Sequence, residues 1–184
     1  KKADGSTTTH QPAQEGNVVM VVCWSMAQPA GQAAALHANQ LGRKYYGIGL
    51  RVLGLVSLRS GSQQGGRQAA SRFLNQHGIR YQTLGLTESA LSTLAYTAGK
   101  DEALPSYAII DRKGRLRFYQ RGFSYTIGGN PRFGRQVYEN ALYGRKIEDF
   151  LRKLLTEGRS DSDLPQRMRR GGGQSSQQSR QQGE

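Results

Sequence analysis

Val18-Val19-Met20-Val21-Val22-Cys23 is a short, unbroken apolar run rich in β-branched residues, the pattern of a buried strand. The succession of elements after this run decides the fold class. Beyond a Pro-containing loop, residues 32–46 place Ala35, Leu36, Ala38, Leu41 and Tyr45 close to helical spacing, and Gly47 and Gly49 stop the helix. Residues 50–58 read as a second buried strand, and 59–66 as a loop of Gly, Ser and Gln. A helix is expected over 67–76 with Ala70, Phe73 and Leu74 on one face, ended by Gly78. A short strand at 81–86 leads to a helix at 88–96, capped by Thr87 and supported by Ala90, Leu91 and Leu94. Leu104-Pro105 opens a strand at 107–110, and Asp111-Arg112-Lys113-Gly114 is a turn. Beyond it Leu116 and Phe118 alternate with Arg115 and Arg117, as on a half-exposed strand. A last helix at 146–155 turns Ile147, Phe150, Leu151, Leu154 and Leu155 inward. This order of elements predicts an α/β sandwich with a mixed sheet.

The domain is expected over 17–156, with an insertion at about 122–143 that is rich in Gly, Arg and aromatics. Residues 1–16 read as a flexible polar arm, and 157–184 as a basic tail rich in Gly, Ser and Gln that cannot bury enough surface to fold alone. No apolar stretch is long enough to span a bilayer.

Charge is the second constraint. Lys and Arg total 26 against 13 Asp and Glu, a net charge of +13. No acidic residue occurs between Gly16 and Thr87, a stretch holding Arg43, Lys44, Arg51, Arg59, Arg67, Arg72 and Arg80. A second acid-free stretch holds Arg112, Lys113, Arg115, Arg117, Arg121, Arg132 and Arg135, and Arg167, Arg169 and Arg170 form a third cluster. Such an excess attracts polyanions, most often nucleic acid and sometimes an anionic membrane surface. Arg115, Arg117 and Arg121 fall on one side of the expected strand, with Phe118, Tyr119, Phe123, Tyr125 and Phe133 nearby. Arginine among aromatics suits phosphate contacts and stacking on unpaired bases. The competing reading is a strand with an arginine outer face and a loop whose aromatics cover the core.

Three segments resemble the TlpA/ResA-like branch of the thioredoxin superfamily, itself close to the peroxiredoxins. They are Gly16-Asn17-Val18-Val19-Met20-Val21-Val22-Cys23-Trp24-Ser25, the stretch Phe73-Leu74-Asn75-Gln76-His77-Gly78-Ile79-Arg80-Tyr81, and Leu104-Pro105-Ser106-Tyr107-Ala108-Ile109-Ile110-Asp111-Arg112-Lys113-Gly114-Arg115. The third is the most specific. The resemblance implies a three-layer α/β/α sandwich and a cis Pro105 facing the active-site position. It also implies thiol–disulfide chemistry by W-x-x-x-C-x-x-C at a helix N-terminus, where dipole and amides lower the first thiol's pKa. Here the segment reads Trp24-Ser25-Met26-Ala27-Gln28-Pro29-Ala30-Gly31, so Gln28 and Gly31 stand at the two cysteine positions. The chain has one cysteine, Cys23, inside the apolar strand, where an inert thiol is expected rather than a peroxidase nucleophile.

Other constellations carry less. His10, His37 and His77 show no metal-binding spacing and read as solvated or helix-end residues, so no metal site and no cofactor are expected. Asp111 reads as the aspartate that starts the turn. Gly61 to Gly66 and Gly128-Gly129 lack the G-K-[ST] of a P-loop, and Gly47 to Gly49 precedes a strand rather than a helix.

The expectation is a thioredoxin-like domain without oxidoreductase activity, serving as a structural subunit in contact with RNA and neighbouring proteins of a large assembly, specifically a mitochondrial ribosome in the matrix. No small-molecule substrate is expected. Trp24, Gln28, Pro29, Gly31 and Pro105 would be a vestigial site. The alternative is an exported bacterial protein of the periplasm, redox-inactive, binding protein partners beside Pro105. A peroxidase using Cys23 is the third reading.

Overall fold

A computed structural model describes residues 16–58, 63–123, 126–128, 137–139 and 143–159. The order is β1 (Val18–Ser25), α1 (Pro29–Tyr45), a 3₁₀ turn (Tyr46–Ile48), β2 (Leu50–Ser57), α2 (Gln63–Gln76), β3 (Gln82–Gly85), α3 (Glu88–Thr97), β4 (Ser106–Ile110), β5 (Leu116–Arg121), β6 (Thr126–Gly128), β7 (Val137–Glu139) and α4 (Tyr143–Thr156). One five-stranded sheet runs β3-β2-β1-β4-β5. β1, β2 and β3 are parallel, β4 is antiparallel to β1, and β5 is antiparallel to β4.

Every residue of β1 is buried, because both faces of the central strand are covered. Alternation sorts them. Val18, Met20, Val22 and Trp24 enter the larger core with α1, α2 and α4. Val19, Val21 and Cys23 enter a smaller one with Leu91 of α3 and Ala108 of β4. Trp24 is fully buried against Phe73 of α2, ring centroids 5.5 Å apart. The chain turns into β2 at Gly49, whose φ of 90° is open to glycine at little cost and whose amide donates to Tyr46 O at 3.1 Å.

Most boundaries fall within a few residues of the sequence reading. α2 begins at Gln63, inside the expected loop, and the insertion holds the antiparallel pair β6–β7. β5 departs more. Phe118 faces Ile109 and Leu116 faces Ile110, so three residues oppose two and Arg117 is the extra one. Leu116 and Phe118 therefore lie on opposite faces, Leu116 in the α3 core and Phe118 against Phe150 of α4, which corrects the simple alternation.

Candidate functional site

The positions singled out by the motif come together where β1 runs into α1. Trp24 is buried, Gln28 is the residue before the first helical turn, and Pro29 occupies that turn, where a missing amide costs nothing. Gln28 and Pro29 are exposed, and Gln28 supplies no side-chain cap. The connecting loop is pinned from within. Ala27 N donates to Ser25 Oγ at 3.2 Å, and Gln32 Nε2 donates to Met26 O at 2.9 Å. Gly31 is buried, and a Cβ placed there would lie 2.5 Å from Ser25 O and 2.9 Å from Ser25 N. Both are main-chain atoms at the end of β1. A side chain at position 31, sulfur-bearing or otherwise, therefore requires the strand end to move. The Leu104–Pro105 bond is cis, as the resemblance implied. Pro105 is buried, and its carbonyl accepts from Gly122 N at 2.7 Å.

Cys23 is 1% exposed. Burial pushes its thiol up to about 11, offset in part by the Ser106 hydroxyl beside it. Nucleophilic cysteines need the opposite setting, an exposed and electropositive one. Among the described residues no group of three or more metal-ligating side chains gathers.

His37 corrects the sequence reading. It is 7% exposed, not solvated, and its Nδ1 shares a 3.2 Å hydrogen bond with Tyr107 OH, which donates to Ala34 O at 2.7 Å. Phe123 packs on both rings. Burial lowers the imidazole to about 4, against a smaller upward pull from Glu148. A signal for this exists in the sequence: His37 lies four residues from both Ala33 and Leu41, on the buried face of α1. Tyr107 carries no such signal, since the sequence marks it only as a strand residue.

The arginines expected to meet RNA do not form one stripe. Asp111 gathers two of them: Arg115 reaches it at 2.8 Å and Arg117 at 3.1 Å. Burial alone would raise the Asp111 carboxyl. Hydrogen bonds from the Arg115 amide and guanidinium, the Arg117 guanidinium and the Lys113 amide overcome that and hold it well below the usual carboxylate range. Arg121 pairs with Asp101 at 2.7 Å, at the other end of β5. Arg112 turns to α4, donating to Leu154 O and Leu155 O at 3.0 Å. Lys113 is exposed in the turn. Of the aromatics, Phe118 and Phe123 pack inward, as the competing reading had it. Arg132, Arg135, Arg167, Arg169, Arg170, Tyr125 and Phe133 lie outside the described residues.

Within the described residues no helix is long and apolar enough to cross a membrane. No known protein family and no curated protein matches the sequence. Solved structures do match. A thiol-disulfide isomerase from Corynebacterium glutamicum aligns over 83% of this chain and 90% of its own, at 22% identity and a TM-score of 0.57. A thiol:disulfide interchange protein of the thioredoxin family from Chlorobium tepidum aligns over 78% and 83%, at 13% identity and 0.53. A thioredoxin-like protein solved in its oxidized form aligns over 82% and 86%, at 20% identity and 0.55. Sheet order, the cis-proline strand and these neighbours agree that this chain has the thioredoxin-like fold.

Proposed function

We propose that the protein is a thioredoxin-fold structural subunit without thiol–disulfide exchange activity, in contact with RNA in a large assembly. The mitochondrial ribosome is the particle to test first. The observation that carries the first half is the closed position 31. Dithiol exchange needs two sulfurs at a helix N-terminus. Here position 28 holds a glutamine, and position 31 has no room for a Cβ beside Ser25 O. The one thiol sits elsewhere, buried, with a pKa near 11, so about one molecule in ten thousand would carry the thiolate at pH 7. The net charge of +13 supports the second half, because counterions are released when basic groups neutralise the phosphates of a polyanion. Strand addition beside Pro105 draws less support, since that residue is buried and its carbonyl is already bonded to Gly122.

Fluorescence anisotropy of the purified full chain with a labelled single-stranded RNA, titrated from about 50 to 300 mM KCl, tests the reading. Log affinity is expected to fall linearly with log salt, by about 0.7 per phosphate neutralised. In native lysate the protein should sediment with large particles and leave them after ribonuclease. Affinity without salt dependence, or sedimentation as a free 20.3 kDa chain, would sink the RNA reading. Insulin reduction above the reductant background would sink the redox reading.

A further inference from the structure

β1 and β2 both start at one pole of the sheet, far along the strands from Gln28 and Gly31. α1 ends there with Arg43 and Lys44 in its last turn. The 3₁₀ turn then presents Tyr46, 63% exposed, with the Arg51 guanidinium 4.1 Å from its ring centroid. Arg51 Nη1 is anchored on Tyr46 O and Leu50 O, both at 3.1 Å. Further basic side chains lie beyond the turn. A Cβ on Gly49, the residue before β2, would lie 3.6 Å from Arg159 Nη2. Arg112 donates to the carbonyls of Leu154, Leu155 and Glu157, the last of which lies two residues before Arg159, and the like charges of Arg112 and Arg159 repel, with Glu157 as a partial counterweight. Lys113 is the next residue along, in the β4–β5 turn. Among the described residues no carboxylate is within ion-pair distance of Arg43, Arg51, Lys113 or Arg159. At the opposite pole Arg121 is paired with Asp101.

We propose that this pole, with Arg43, Arg51, Arg112, Lys113, Arg159 and the exposed ring of Tyr46, is the surface that takes single-stranded RNA. The inference rests on the RNA reading above and places it away from the β5 arginines that the sequence favoured. Guanidinium and ammonium groups held apart from carboxylates leave a field for a phosphate backbone to satisfy. A tyrosine face already stacked with arginine is a platform for an unpaired base. RNA is favoured over an anionic membrane because, among the described residues, only two large apolar side chains are exposed, Tyr46 at this pole and Tyr96 in the last turn of α3.

The test compares three full-length variants by anisotropy on a labelled 20-mer of oligouridylate. Arg43→Glu with Lys113→Glu reverses two exposed charges of the patch. Arg67→Glu with Arg121→Glu makes the same charge change elsewhere. Tyr46→Leu removes the ring. The first should weaken binding at about 100 mM KCl by ten-fold or more and flatten the salt slope by about 1.4, two phosphates at 0.7 each. The second should change affinity by less than about three-fold. Tyr46→Leu should cost about ten-fold on the single strand and nothing on a duplex of the same length. Equal losses in the two charge variants would overturn the pole while the RNA reading stands. A wild-type chain that binds phosphatidylglycerol vesicles but not RNA would overturn both.

Discussion

Substituting Gly31 by alanine isolates the contact on which the redox argument turns. The new Cβ would sit 2.5 Å from Ser25 O, whereas approaches below 3.0 Å are essentially never seen, so that oxygen must retreat by at least 0.5 Å (3.0 less 2.5). It has little freedom to do so. Ser25 is the last residue of β1, paired with Ser57, and its hydroxyl and carbonyl hold Ala27 N and Gln28 N. Overpacking against fixed atoms costs roughly 1–3 kcal/mol. Alanine in place of glycine in a helix returns up to about 1 kcal/mol through propensity and the restricted unfolded chain. The net is a loss of about 1–2 kcal/mol. For a chain of this size each kcal/mol moves Tm by roughly 2–4 °C, so Gly31→Ala should melt about 2–8 °C below wild type by scanning calorimetry. Gly47→Ala, with nothing within 4 Å of its Cβ, is the control and should melt at or above wild type. If Gly31→Ala also melts at or above wild type with unchanged near-ultraviolet circular dichroism, the strand end yields freely. The closed position would then be no obstacle to a second sulfur. The corollary is that Gln28→Cys with Gly31→Cys is destabilised and does not reduce insulin.

Burial and charge pairing set three further outcomes. Cys23 should react with a thiol reagent at pH 8 only as fast as the chain opens, so labelling that is fast in the native state and independent of denaturant would contradict its burial. His37 is neutral in the fold down to about pH 4 but takes a proton near 6.5 when unfolded. The unfolded state therefore binds more protons in that window, and stability should fall as pH drops from 6.5 to 4, by about 3 kcal/mol at most; in His37→Phe urea melts should lose that slope. Asp111→Asn removes the charge that holds Arg115 and Arg117 and should cost about 2 kcal/mol in urea unfolding, with Arg115→Gln costing far less because its guanidinium is exposed.

The elements carrying local signals were legible from the chain. The apolar run from Val18 to Cys23 reads as a buried strand and lies within β1, and Thr87 caps α3 as its chemistry suggests, accepting from Ala90 N at 3.2 Å. Features that depend on partners distant in sequence were not legible. The extra residue at Arg117 exists only as a mismatch between β5 and β4, so no period within 115–121 announces it. Its consequence was large: it turned an apparent arginine stripe into a cluster at Asp111 plus a separate pair at Asp101. His37 is buried because Tyr107 and Phe123, 70 and 86 residues later, close over it (107 and 123 less 37). The candidate site was legible in a different sense. The residue types at 28 and 31 could be read from the spacing after Trp24, but the missing space at 31 is a property of the folded loop.

Arg112 shows why the basic character of this chain cannot be interpreted by counting. It donates to the carbonyls of Leu154, Leu155 and Glu157, the open end of α4, where a cation is favoured by the helix dipole and by unpaired acceptors. That role accounts for the residue without any RNA. Yet the same guanidinium stands beside Arg159, adding to a field that a fold alone does not require. A structural arginine and an RNA-contacting one can thus be one side chain, and stability data on Arg112 variants would not separate the two roles. Salt dependence does. A cation satisfied by carbonyls in both free and bound protein releases no counterions from the nucleic acid, whereas one that neutralises a phosphate does. Arg112→Lys keeps the charge but gives up the forked geometry that serves three carbonyls. It should therefore lower Tm while leaving the salt slope of RNA binding intact, whereas Arg112→Gln, which gives up the charge as well, should lower both, and a slope unmoved by Arg112→Gln would leave Arg112 its structural role alone.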